Sequence, residues 1–201
     1  MIVFFLIACS DYHVYEAPPV PPAEPLGTDA DNHGDPPDWT DCWAGYLGQY
    51  YNLPSNHVDM DIEKSVGELD TLDWWSESYH VWEGWDASLD FGENWWPVDD
   101  GLAGDPAYFA VQWTSWLRAH DDVSLEVTFG AATDGWLLVD GDIVFSTLGS
   151  NAFAPETIGW ALDAGQYPIE IRMAQRGGRE SGFRFRVLSG DVEVCAGDYT
   201  E

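Results

Sequence analysis

Asp134 stands between Thr133 and Gly135 at the head of the stretch TDGWLLVDGDIVF, residues 133 to 145. A carboxylate there has two uses. It can supply hard oxygen atoms to an ion or a sugar at the rim of a β-fold. Alternatively, it accepts from nearby backbone N–H groups and starts a turn, as aspartate commonly does before glycine. A second cluster is aromatic: Trp74, Trp75, Trp82, Trp85, Trp95 and Trp96 crowd one stretch, with Tyr79 and His80 among them. Flat indole faces suit the C–H surfaces of pyranose rings, which makes Trp82 and Trp85 candidate ligand contacts. Indoles also fill cores, and because neighbours on a strand point to opposite faces, at least one of each WW pair should be buried.

Other chemistry finds little support in the spacing. The five histidines, at 13, 33, 57, 80 and 120, have no mutual spacing that brings two onto one zinc ion, and no HExxH occurs. No serine sits in a GxSxG elbow. The acidic pairs Asp99-Asp100 and Asp121-Asp122 are sequence neighbours, whereas glycoside hydrolysis needs opposed carboxylates roughly 5 to 9 Å apart. Asp59, Asp61 and Glu63 in DMDIE share one strand face, where their mutual repulsion calls for solvent or a cation. No catalytic residue is expected.

The elements that position these residues read as strands. In VSLEVTF, Val123, Leu125, Val127 and Phe129 alternate with Ser124, Glu126 and Thr128. YPIEIRM (167–173) and FRFRV (183–187) repeat that period of two, so each segment buries one face. Asp140-Gly141, between WLLV and DIVF, is the signal of a two-residue hairpin whose type I′ turn needs positive φ. Five of the six arginines lie between residues 172 and 186, where outward positions would pair them with Glu126 or Glu170. No long stretch has a helical period. The expectation is an all-β fold, an antiparallel β-sandwich or barrel-like jelly-roll module with long loops and little helix.

The chain ends frame that domain. Residues 1–8, MIVFFLIA, have the length of an export signal's apolar region, and Leu6-Ile7-Ala8-Cys9 resembles a bacterial lipobox without its positive n-region. On that reading 1–8 is a lipoprotein signal peptide, Cys9 carries lipid, and localisation is the outer membrane or cell surface; the alternative is a buried strand. Residues 9–41, rich in proline and aspartate, form a solvated tether, and the folded domain spans 42–201. With Cys9 assigned to lipid, Cys42 and Cys195 remain as a disulfide pair closing the domain end to end, the alternative being two free thiols. The 36 acidic against 7 basic residues give a formal charge of -29, which repels nucleic acid and leaves the lipid anchor as the membrane contact.

Four stretches, in order, resemble the domain first described as an insert in anthrax protective antigen, near the flocculin and fibro-slime groups. They are GYLGQYYN (45–52), LDFG followed by YFAVQWTSWL (89–92 and 108–117), TDGWLLVDG (133–141) and LDAGQYPIEI (162–171). The resemblance implies a β-sandwich that often binds carbohydrate. In the sugar-binding flocculin branch two consecutive aspartates joined by a cis peptide hold a calcium ion that coordinates sugar hydroxyls. Here Thr133 replaces the first of them, which leaves Asp134 as the calcium ligand the resemblance implies. Thr133, Asp134 and Trp136 then form one ligand loop, and Gln175 and Arg176 open a second that runs to Ser181. The functional expectation is a surface-tethered module that binds a glycan or another extracellular ligand. The alternative is a structural or protein-interaction domain with a degenerate sugar and calcium site.

Overall fold

A computed structural model describes residues 42–57, 59–61, 68–99, 101–149, 152–178 and 180–196. The signal peptide, Cys9 and the tether expected at 9–41 lie outside those residues, as do Glu63 and Asp100. The described residues form twelve strands: β1 (Trp43–Ala44), β2 (Tyr46–Asn52), β3 (His80–Asp86), β4 (Leu89–Glu93), β5 (Tyr108–Ala119), β6 (Val123–Ala131), β7 (Asp134–Val139), β8 (Asp142–Thr147), β9 (Glu156–Leu162), β10 (Gly165–Arg176), β11 (Gly182–Ser189) and β12 (Val192–Ala196). Two single-turn 3-10 helices, Leu69–Thr71 and Glu77–Tyr79, complete the list of elements. An all-β antiparallel sandwich is therefore the architecture, as the alternating segments imply.

One sheet has eight strands, ordered β1-β12-β5-β10-β7-β8, with β2 also pairing β5 and β3 pairing β2. The other has four, ordered β4-β11-β6-β9. VSLEVTF, YPIEIRM and FRFRV fall within β6, β10 and β11. Leu125, Val127 and Phe129 are fully buried while Ser124 and Glu126 face out. Between the sheets the core is aromatic: Trp113 stacks on Phe183 with ring centroids 4.7 Å apart, and Phe129 meets Phe183 edge-on at 5.7 Å. The β7–β8 hairpin turns at Asp140 (φ 52) and Gly141 (φ 83), the left-handed pair that a type I′ turn requires.

Strand β5 is the spine. Its Tyr108-to-Ala119 length pairs β10 throughout, while its other edge is shared end to end by β2, opposite Phe109–Thr114, and β12, opposite Trp116–Ala119. Ser115 lies at the seam, 3% exposed, with its Oγ 2.7 Å from Gly45 O and 2.8 Å from Cys195 O. A hydroxyl has one proton to donate, so it serves the two carbonyls in turn. The Cys42–Cys195 disulfide closes the same seam, with Cα atoms 5.0 Å apart and a sequence separation of 153. In the chain-entropy view a loop of that length is worth about 5 kcal/mol.

The eight-stranded sheet is covered on its outer face as well. The connection from β2 to β3 folds back over it, so that Leu53, Met60, Leu69 and Trp74 pack against Tyr51, Ala110, Trp136, Leu138 and Ala174. Both faces of β7 are consequently buried, which explains its unbroken apolar run.

Asp86, which no local pattern singles out, is the acid drawn into the sandwich interior. Its Oδ2 accepts from Tyr50 Oη at 2.8 Å and Trp113 Nε1 at 2.9 Å. Burial lifts its pKa above the ordinary 3.8, and the two donors offset part of that rise. The folded state therefore holds this proton more tightly than the unfolded chain. Its contribution to stability is greatest below 3.8 and is lost as pH rises through the folded pKa. Asp86→Asn should remove that slope: urea midpoints compared across pH 4 to 8 should diverge from wild type in the variant's favour as pH rises, and a constant difference would refute the assignment. Cys195→Ser, or reduction, should cost about 2–5 kcal/mol by the same urea titrations, and an unchanged midpoint would mean that the bridge adds nothing.

Candidate functional site

Thr133, Asp134, Trp136, Gln175 and Arg176 do come together, at the end of the sandwich where β7 begins and β10 finishes. Register does it: Ala174 of β10 pairs with Asp134 of β7, and Arg176 pairs with Tyr108 of β5. Asp134 and Arg176 lie two positions apart along that register, on the outer face of the sheet. The next residue over, Gln175, faces the sandwich interior.

Arg176 and Asp134 form a buried, bidentate ion pair. Nε donates to Oδ2 at 2.5 Å and Nη2 to Oδ1 at 3.1 Å, with the side chains 1% and 0% exposed. Oδ1 also accepts from the Gly149 backbone N–H at 2.8 Å. On the far side of the guanidinium, Nη1 donates to the Asp61 carbonyl at 3.0 Å and lies 3.4 Å from that of Asp59. Arg176 Cζ stands 5.8 Å from the ring centre of Trp74, which is fully buried. A buried pair of this kind gains its Coulomb energy in a low dielectric against a large desolvation cost. Removing one partner leaves an uncompensated charge and typically costs about 3–5 kcal/mol.

Beside the pair, Thr133 donates its hydroxyl to the Ala174 carbonyl and lies 3.3 Å from Gln175 Oε1. Gln175 Nε2 donates to the carbonyls of Gly177, at 2.6 Å, and Glu180, at 3.0 Å. This amide thus shapes the loop that follows β10. Ser181, at the loop's end, donates to the Trp95 carbonyl.

These contacts place the residues of the two-loop ligand site expected from the sequence. Thr133, Asp134, Trp136, Gln175 and Arg176 are each at most 3% exposed. The Asp134 carboxylate does not fit a calcium ion. Calcium takes 6 to 8 oxygen ligands at 2.3–2.6 Å, whereas both oxygens of Asp134 are engaged by Arg176 and Gly149. The Thr133–Asp134 peptide bond is trans. Arg176 also departs from the paired surface arginines expected on β10 and β11. Arg184 does pair across strands with Asp90, at 2.5 Å, and Arg172 pairs with Glu170 on its own strand.

The tryptophans divide between core and surface, although neither WW pair lies on a strand. Trp74 and Trp95 are buried, while their neighbours Trp75 and Trp96 are half-buried. Trp82 and Trp85 do not share a platform. Trp82 opposes Tyr50 and packs on it from within, with centroids 4.8 Å apart, whereas Trp85 opposes Leu47 on the outer face. Trp85 lies over Gly45, where a Cβ would come within 2.5 Å of its Nε1 and φ is +136, so only glycine suits that position. Next to it Gln49 Nε2 donates to Glu83 Oε2 at 2.9 Å on the same face, and Tyr51 Oη donates to Gln49 Oε1 at 3.0 Å. His57 braces the covering connection: Nδ1 accepts from the Asp59 N–H at 3.3 Å, which leaves the Nε2 proton facing Asp73 Oδ1 at 2.8 Å.

No family profile and no curated protein sequence matches the chain. Solved structures do. The A domain of Epithelial Adhesin 9 from Candida glabrata, solved in complex with Galβ1-3GlcNAc, is 11% identical, with 83% of this chain and 95% of that domain aligned at a TM-score of 0.55. The PA14 domain of the MpAFP antifreeze protein is 14% identical, with 85% of this chain and all of that domain aligned at a TM-score of 0.52. A β-glucosidase from Kluyveromyces marxianus aligns at 0.48 and 14% identity; the alignment takes in 72% of this chain but only 16% of the glucosidase. The protein thus has the β-sandwich fold of the adhesin A domain and the PA14 domain.

Proposed function

We propose that the protein is a carbohydrate-binding, adhesion-type module, held at a cell surface through lipid on Cys9 and carrying out no catalytic step of its own. The observation that carries this reading is the half-buried Trp85 beside the Gln49–Glu83 hydrogen bond on the outer face of β2 and β3. An indole face next to planar amide and carboxylate groups is the pairing that a sugar's C–H surface and hydroxyls require. The fold supports it, since adhesin A domains of the same architecture were solved with Galβ1-3GlcNAc and Galβ1-4GlcNAc. The formal charge of -29 disfavours anionic glycans and directs the reading to neutral ones. Because Asp134 is committed to Arg176, binding on this reading needs no calcium.

A second reading, a protein-interaction domain, draws on β8. This strand ends the eight-stranded sheet, and Ile143 and Val144 on it, with Leu148 just beyond, are 52%, 42% and 47% exposed. An apolar edge of that kind is a template for strand addition.

A glycan array separates the two. The first reading predicts retention of neutral, galactose-terminated oligosaccharides, equal in calcium and in chelator, and a loss of roughly tenfold or more in Trp85→Ala. A blank array, with association instead abolished by Ile143→Ser, would transfer the function to the β8 edge.

A further inference from the structure

Among the described contacts, four oxygen atoms converge on the Arg176 guanidinium: the two of the Asp134 carboxylate and the backbone carbonyls of Asp59 and Asp61. They come from two parts of the chain far apart in sequence, and a third, at Gly149, is tied in through Asp134 Oδ1. Carboxylate and carbonyl oxygens are the donor set of a hard cation. Here the positive charge is covalently part of the chain. We propose that the Arg176 guanidinium is the resident cation of this oxygen cage, so that this end of the sandwich is assembled without a metal ion.

Charge matching supports the assignment. Among the described contacts the carboxylate of the cage is that of Asp134, and the residue before it is a threonine whose hydroxyl is committed to the Ala174 carbonyl. The guanidinium neutralises the Asp134 carboxylate; a divalent ion with these ligands would leave an excess positive charge beside an Asp134 that is 0% exposed. Geometry agrees with charge. The planar fork presents Nε and Nη2 along one edge to Asp134, while Nη1 is left for the carbonyls of the covering connection. Trp74, itself fully buried, lies over the guanidinium. The arginine thereby acts as a latch that fixes residues 59–61 on the outer face of the sheet. This inference is independent of any sugar binding, because it is read from stability.

The test is thermal unfolding of the wild-type domain and three variants. Wild type should melt at the same temperature in millimolar calcium and in millimolar chelator. A calcium-dependent rise would overturn the proposal, since it would show a metal bound to the folded state. Arg176→Ala should melt lower by roughly 6 to 20 °C. Methylguanidinium should restore part of that loss, and should do nothing for the Asp134→Asn, Arg176→Ala double variant. Should Arg176→Ala fail to fold, Arg176→Lys keeps the charge and loses the fork, and should melt below wild type. A lysine variant as stable as wild type would show that the cage does not depend on the guanidinium, and would equally overturn the assignment.

Discussion

Covering the outer face of the eight-stranded sheet is the constraint from which the rest of the structure follows. A sandwich ordinarily buries one face of each sheet and leaves the other to water. Here the chain between β2 and β3 folds over the second face, burying Trp74, Met60 and Leu69 against β5, β7 and β10. That burial turns Asp134 and Arg176, outward-facing strand residues, into interior ones. Charges so placed persist only when paired and hydrogen-bonded, and the bidentate pair meets that demand while its third nitrogen holds the covering chain in place. Packing made the ion pair necessary, and the ion pair in turn anchors the packing.

The same logic distributes the other polar groups. Ser115 sits where β2 and β12 meet end to end along β5, and its hydroxyl serves the Gly45 and Cys195 carbonyls at that seam. Asp86 is tolerated inside because Tyr50 and Trp113 both donate to it. Gln175 faces inward beside Thr133 and shapes the loop after β10 through its amide. Each of these groups ties together strands or loops that are distant in sequence, so the polar atoms of the interior specify topology.

Much of the architecture was legible in the residues. Period-two alternation placed β6, β10 and β11, because one buried face imposes it. Asp140-Gly141 announced the β7–β8 hairpin, because few other residues accept two left-handed positions in succession. The Cys42–Cys195 bridge followed from counting cysteines. The functional chemistry was less legible. Asp134 and Arg176 are 42 residues apart, and their pairing rests on the β7–β10 register, a tertiary fact with no local signature. From sequence the arginine read as one of a surface group and the aspartate as an ion ligand. The tryptophan cluster was ambiguous for the same reason, since which indole faces water depends on which strand face the covering connection occupies. Trp85, opposite Leu47 and beside Gln49 and Glu83, combines partial exposure on the outer face with polar neighbours suited to a sugar.

The central claim is that Arg176, buried and fully engaged, is the cation that holds this end of the fold. It is tested most directly by the Nε–Hε resonance of that side chain in a 15N-edited spectrum. The account predicts an Arg176 Hε that exchanges with solvent far more slowly than that of the exposed Arg186, and whose shift does not move when calcium is added. An Arg176 Hε that exchanges as fast as that of Arg186, or is displaced by calcium, would contradict it.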